Sequence, residues 1–268
     1  MKKIGLLISA ILIFTFSFAG CASTKNTGTT QASSDNLLAK IKKDGKIKIG
    51  TEGTYAPYTF HDKNGKLTGF DVEISEEVAK RLGVKAEFIE TKWDGMFAGL
   101  NSKRFDAVAN EVTINDERKQ KYDFSDSYIV SRAVLIVSND NNSITKFEDL
   151  KGKKAAESLT SSGEKVAKSY GAEIVVDDGF NQAIDLITSK RADAVVNDSL
   201  SFLDYKKQKP DTPIKVVAKS EKPDVNAFVF NKGNKELLDA VNKAISDMKA
   251  DGTYLKISKK WFNEDVSK

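Results

Sequence analysis

The chain has 268 residues, 40% of them hydrophobic, with 4 prolines and a single cysteine, Cys21, which is enough material for one large core or two smaller ones of about 100 residues each. Its 42 Lys and Arg against 38 Asp and Glu leave a formal charge of +4, and the two signs are interleaved, which excludes a nucleic-acid partner that needs a clustered basic surface. One cysteine excludes an internal disulfide and a multi-cysteine metal site.

The first twenty residues, MKKIGLLISAILIFTFSFAG, begin with two lysines, continue as an apolar run and end in small residues before Cys21. That is the order of an export signal, and the run is short for a bilayer core of roughly 30 Å. Ala19-Gly20-Cys21 resembles a bacterial lipobox, with Phe18 where leucine is usual. The expectation is a lipoprotein signal peptide over 1–20, a diacylglyceryl group on Cys21 and a flexible tether over 21–35, rich in Ser, Thr, Asn and Gly. The chain is then extracytoplasmic and lipid-anchored to a bacterial cell membrane.

From Ile47 strand and helix signals alternate. IKIGT (47–51) reads as a strand, and an Asn-Gly turn separates YTF from KLTGF. DVEISEEVAKRLG (71–83) sets Ile74, Val78 and Leu82 on one helical face and stops at Gly83. VKAEF (84–88) alternates, WDGMFAGLNSKR is helical in pattern and FDAVAN (105–110) reads as a buried strand. This β-α-β-α-β order predicts a mostly parallel sheet. A second series follows: strand AVLIV (133–137), short helix FEDLKG (147–152), strand KAAE, helix EKVAKSYG (164–171), strand EIVV, helix FNQAIDLITSKR and strand ADAVVN. The tail, KELLDAVNKAISDMKADGTYLKISKKWF, reads as two helices that pack onto an existing lobe, the first with Leu237, Val241, Ile245 and Met248 on one face.

SKRFDAVANE (102–111) returns as SKRADAVVND (189–198), identical at seven of ten positions. In each copy an amphipathic helix ends in a Ser-Lys-Arg turn and feeds a buried strand, so Glu111 and Asp198 come just past two strand ends. Ligands of open α/β sheets bind outside the carboxyl ends of strands, so two such units predict a cleft shared by two lobes.

GTEGTYAPYTF (50–60), GKLTGFDVEI (65–74), TKWDGMFAGLNSKRFDAV (91–108), TINDERKQKYDFSDSY (113–128) and DGTYLKISKKWF (251–262) resemble the polar amino-acid family of bacterial solute-binding proteins that serve ABC importers. Trp93-Asp94-Gly95-Met96 and the SLTSS loop are most similar to its cystine-binding branch. The resemblance implies an α/β, periplasmic-binding-protein-like fold of two α/β lobes joined by two crossing strands with a ligand cleft between them. Lobe 1 would be 36–131 plus 226–268 and lobe 2 would be 132–225. It further implies an amino-acid ligand, most closely cystine with glutamine or arginine as alternatives, a membrane permease as partner, and a monomer. No cofactor and no metal are expected.

A zwitterion held away from water needs a cation for its carboxylate and acceptors for its ammonium. Arg118 lies in TINDERK, where Asn115 can cap a helix, and a guanidinium fork suits a carboxylate; a solvated helix arginine is the competing reading, and the resemblance implies the carboxylate role. Asp198 is the resemblance's candidate for the ammonium. Glu111, where relatives often have Ser or Gln, would contact ligand through its side chain or only its carbonyl. Thr113 would donate to the carboxylate. Ser161 and Ser162 precede a helix whose N-terminal amides favour an anion, with simple N-capping compatible. Tyr55, Tyr58 and Trp93 match pocket-lining aromatics, and Glu52 matches an acid that meets a polar ligand side chain. An enzyme on the same fold is the rival class, but His61, the only histidine, stands beside the Asn-Gly turn, and no Ser/His/Asp or Cys/His set assembles. A sensory ligand-binding module is the third reading.

Overall fold

The computed structural model describes residues 36–268, all of which belong to one compact unit. The expected leader, Cys21 and the tether lie outside the described residues. Helix α1 (Leu37–Asp44) is capped by Asn36 and stopped by Gly45 in the left-handed conformation, and leads into β1 (Lys46–Thr51). Strands β2 (Thr54–Tyr55), β3 (Thr59–His61) and β4 (Leu67–Thr68) form a small antiparallel sheet across the Asn-Gly turn. In α2 (Phe70–Arg81) the expected face is buried, and the chain turns at Gly83 with φ +78 into β5 (Lys85–Glu90). Helix α3 (Trp93–Asn101) and β6 (Ala107–Val108) follow, then α4 (Asp116–Lys121), β7 (Tyr122–Phe124) and β8 (Ile129–Ser131).

Strand β9 (Ala133–Ser138) opens the second series. Val134 and Ile136 enter one apolar cluster while Ala133, Leu135 and Val137 enter another, so both faces are covered and the strand reads as unbroken apolar sequence. FEDLKG is a 3-10 turn (Phe147–Leu150) rather than an α-helix, since Leu150 is followed at once by the turn into the next strand. There follow β10 (Lys154–Glu157), α5 (Ser162–Ser169), β11 (Glu173–Val176), α6 (Phe180–Thr188), β12 (Val195–Asp198), α7 (Ser199–Gln208), β13 (Ile214–Lys219), β14 (Asp224–Asn226) and β15 (Val229–Asn231). Helices α8 (Lys235–Ala250) and α9 (Thr253–Phe262) pack on α1 and α2, with Leu237, Val241, Ile245 and Met248 buried in the first lobe's core.

The two lobes share one topology. The first sheet runs β5-β1-β6-β15-β7, with β1 parallel to β5 and β6 and with β15 antiparallel to both its neighbours, β6 and β7. The second runs β11-β10-β12-β9-β13: β10 is parallel to β11 and touches the approach to β12 by a single parallel bridge, Ala155 to Ala194, while β9 is antiparallel to both neighbours. In each sheet one strand, β15 in the first and β9 in the second, runs against the other four, a reversal that local alternation of helix and strand does not encode. Between the sheets β8 and β14 pair antiparallel, with Ser131 opposite Asp224 and Ile129 opposite Asn226.

The repeated phrase has one structure twice. Lys103 and Lys190 both take left-handed conformations, φ 59 and 62, just past the ends of α3 and α6. Arg104 and Arg191 then donate their N–H groups back to Gly99 and Leu186. Asp106 Oδ2 accepts from Lys48 N at 2.8 Å, and Asp193 Oδ2 accepts from Lys154 N at 2.8 Å, so each copy clamps the start of the neighbouring parallel strand. The copies part at the final acid: Glu111 is left-handed (φ 50), whereas Asp198 is extended and caps α7.

Candidate functional site: a cavity at the strand ends of both lobes

A cavity lies where the carboxyl ends of β1, β6, β10, β11 and β12 converge, the place where open α/β sheets bind ligands. Arg118 is brought to it by α4, whose N-terminus is fixed by Asn115 Oδ1 accepting from Arg118 N at 2.9 Å. Arg118 as a whole is 8% exposed. It donates to the carbonyls of Thr113 at 2.9 Å and Thr160 at 3.0 Å and reaches Ser162 Oγ at 3.4 Å, and it lies 5.3 Å from the ring centres of Trp93 and Phe97. Among the described residues no carboxylate forms an ion pair with it. Burial lowers it to about 10 against the pull of Glu111 and Glu117.

Asp198 is also 8% exposed. Its Oδ1 accepts from Tyr58 Oη at 2.6 Å, Leu200 N at 2.8 Å and Ser201 N at 3.1 Å, while its buried Oδ2 has no hydrogen-bond partner. Burial raises it above the usual aspartate range. Glu111 lines the same cavity, and its N–H donates at 2.5 Å to Oδ2 of buried Asp71. Burial, then Asp198, Asp71 and Asp224, push Glu111 well above the ordinary carboxylate range.

Thr113, Tyr55, Trp93, Ser161, Ser162 and Glu52 line the cavity as well. Ser161 is the N-cap of α5, accepting from Glu164 N at 2.9 Å, and Ser162 opens that helix, so capping and a place at the cavity wall coexist. Tyr55 Oη donates to Asn197 Oδ1 at 3.1 Å from the other lobe. Trp93 leaves its indole N–H without a partner. Tyr58 is fully buried beside Tyr55 and Phe262, and its hydroxyl donates to Asp198 at the cavity wall.

Sequence reasoning missed Asn110, Glu157, Asp177, Asn197 and Asp224, all of which line the cavity. Asn110 binds Glu52 twice, accepting from its N–H at 2.8 Å and donating to Oε2 at 2.6 Å. Glu157 closes β10 and Asp177 follows β11. The signal that would have found them is the strand-end rule, applied to every strand of the series and not only to the two repeated ones.

Residues 47–264 match the family model for bacterial extracellular solute-binding proteins, family 3, and the chain belongs to this family. Over its whole length it is 49% identical to the L-cystine-binding protein TcyA of Bacillus subtilis (strain 168), covering all of that protein. An ancestral arginine-binding protein bound to arginine is 43% identical with a TM-score of 0.77, covering 81% of this chain and 98% of its own. The L-cystine solute receptor of Neisseria gonorrhoeae, in the unliganded open conformation, is 47% identical with a TM-score of only 0.58, covering 87% and 99%. In this chain Tyr58–Asp198, Tyr55–Asn197, Arg118–Thr160 and Lys92–Asp178 link the two lobes by hydrogen bonds.

Proposed function

We propose that this protein captures an amino acid, cystine in the first instance, between its lobes and delivers it to the membrane permease of an ABC importer. One observation carries the reading: a buried guanidinium with no carboxylate partner and a buried carboxylate with an unpartnered oxygen face one cavity. Either charge alone in such a site costs several kcal/mol, and the two ends of a free amino acid answer both. Arg118, with Thr113 and the α5 N-terminus at Ser161 and Ser162, takes the carboxylate. Asp198, with Glu111, takes the ammonium, and Tyr55 and Trp93 flank the side chain. The similarity to TcyA supports cystine, and the arginine-bound ancestral protein keeps arginine as the alternative.

Lobe 1 comprises 36–131 and 226–268 and lobe 2 comprises 132–225, hinged at β8 and β14. Ligand contacts to both lobes favour closure, and the closed form docks on the permease. The chain acts as a monomer, tethered outside the cell membrane through a lipid on Cys21; this part rests on the sequence of the leader. A receptor rather than an enzyme is supported by His61, which lies off the cavity beside Glu90 and the Gly53 carbonyl. The test is calorimetry on residues 35–268, unfolded and refolded to strip carried ligand, titrated with each amino acid including cystine. Tight one-to-one binding of cystine supports the reading, binding of another amino acid redirects the substrate, and no binding by the folded protein overturns it.

A further inference from the structure

Asp71, on the first turn of α2, is a buried acid that the binding reading does not use. It is 1% exposed. An acid in that turn ordinarily serves its own helix N-terminus, yet α2 begins at Gly69 with no side-chain cap. Asp71 Oδ2 instead accepts the N–H of Glu111 at 2.5 Å, 40 residues further along the chain. Its Oδ1 and the neighbouring Tyr128 hydroxyl are both buried without a hydrogen-bond partner. The backbone that carries the acid is itself fixed. Asp71 N donates to Tyr58 O at 2.9 Å, and Phe70 before it packs against Tyr128 and, with ring centres 5.0 Å apart, against Phe262.

Glu111 is the corner at which the chain passes from the first sheet to the crossing strands. Before it, Ala109 N donates to Gly50 O at 3.1 Å beside β1. After it, Ala227 N donates to Val112 O at 3.1 Å, Thr113 bridges Asn226, and Ile114 N donates to Val225 O at 2.8 Å, so the chain now runs along β14. The corner is left-handed, φ 50, a conformation that costs any residue with a Cβ and persists where surrounding bonds hold it. Two residues on, the Thr113 carbonyl takes the Arg118 guanidinium at 2.9 Å, and Asn115 caps the helix that carries Arg118. A shift of the corner therefore moves both residues assigned to the ligand carboxylate. The second copy of the repeated phrase needs no such anchor, because Asp198 is extended and caps α7 itself.

We propose that Asp71 is a positioning residue for ligand capture: its side-chain oxygen holds the left-handed corner at Glu111 and, through that corner, sets Thr113 and Arg118 against the cavity. The proposal rests on the amino-acid-binding reading above. The corner needs an acceptor oxygen and not a charge. Asp71→Asn supplies that oxygen and turns its amide nitrogen to the Tyr128 hydroxyl, whereas Asp71→Ala releases the corner.

The test is calorimetry with cystine, or with arginine should the wild type prefer it, on the wild type, Asp71→Ala, Asp71→Asn and Asp106→Ala. The last removes a strand hydrogen bond of the same lobe away from the cavity and gauges what lost stability alone does to binding. Melting curves accompany each titration. Should Asp71→Ala not fold, Asp71→Ser, whose hydroxyl stands one bond short of Glu111 N, takes its place with the same expected loss. Asp71→Ala should weaken binding tenfold or more, Asp71→Asn less than threefold and Asp106→Ala less than twofold. A smaller loss in Asp71→Ala, a loss in Asp71→Asn equal to that of Asp71→Ala, or a comparable loss in Asp106→Ala makes the role structural only and overturns the proposal. The Glu111 amide, followed by NMR hydrogen exchange in the ligand-free wild type, should exchange slowly, and fast exchange overturns the anchor whatever the variants do. A folded wild type that binds no amino acid removes the binding reading, while exchange at Glu111 still judges the anchor.

Discussion

The Tyr58 hydroxyl donates to Asp198 Oδ1 at 2.6 Å, joining the fully buried core of one lobe to the strand end of the other. The bond fixes the carboxylate so that Oδ2 is the oxygen left to the cavity. Tyr58→Phe removes a hydrogen bond to a buried acid, worth about 1.5 to 3 kcal/mol. Thermal melts should show lower stability, and calorimetry should show weaker ligand binding, with the Leu200 and Ser201 N–H groups still holding the other bonds.

Arg118→Ala should weaken ligand binding by about 2 to 5 kcal/mol, because the ligand carboxylate would be buried without its cation. Arg118→Lys should recover only part of this, since an ammonium cannot make two parallel bonds. Unchanged affinity in Arg118→Ala, measured by calorimetry, would remove the carboxylate assignment.

Acid groups raised by burial give the ligand-free protein an unusual pH profile. Glu52 stands at about 7 through burial and the nearness of Asp177, and buried Asp71 also stands at about 7. Both exceed their unfolded values, so between roughly pH 4 and 7 the folded state holds more protons than the unfolded state and stability falls as pH rises. The melting temperature of the ligand-free protein should therefore decline from pH 5 to pH 8, and Glu52→Gln should flatten part of that slope. A melting temperature that climbs over this range would contradict the burial of these groups.

The repeated aspartates predict a stability effect separable from binding. Asp106 and Asp193 each accept one strand N–H at 2.8 Å, from Lys48 and Lys154. Replacing either by alanine removes a hydrogen bond to a donor that is not fully buried, at a cost of about 0.5 to 1.5 kcal/mol. Denaturant unfolding should register each loss. Neither residue lines the cavity, so calorimetry should find ligand affinity nearly unchanged.

Much of this fold was legible because its elements bury regular faces. Ile74, Val78 and Leu82 recur at helical spacing and are buried as expected, and the Lys-Arg turns after α3 and α6 announced two equivalent units. Less legible were β7, β8, β14 and β15, strands of three residues each. Their pairing partners lie far away in sequence, so no local period marks them. Helix α7 escaped the sequence reading because its apolar residues are split: Leu200 and Tyr205 are buried while Leu203 is exposed.

The candidate site divides in the same way. Arg118 after its capping asparagine and Asp198 at a strand end were visible as local patterns, and the family resemblance gave them roles. Tyr58 was visible as an aromatic, but whether it lined the cleft or supported Asp198 depended on how closely Phe262 and the core enclose it.

The sequence by itself determined the alternating elements, the doubled βαβ unit and the residues standing at its strand ends, because burial periodicity and capping act over a few residues. Only the tertiary structure decided which carboxylates share a cavity and which of their oxygens remain free. That depends on neighbours far apart in the chain, such as Tyr58 and Asp198, which are 140 residues apart. The cost or value of a buried charge is set by what surrounds it in space and not by what flanks it in the chain.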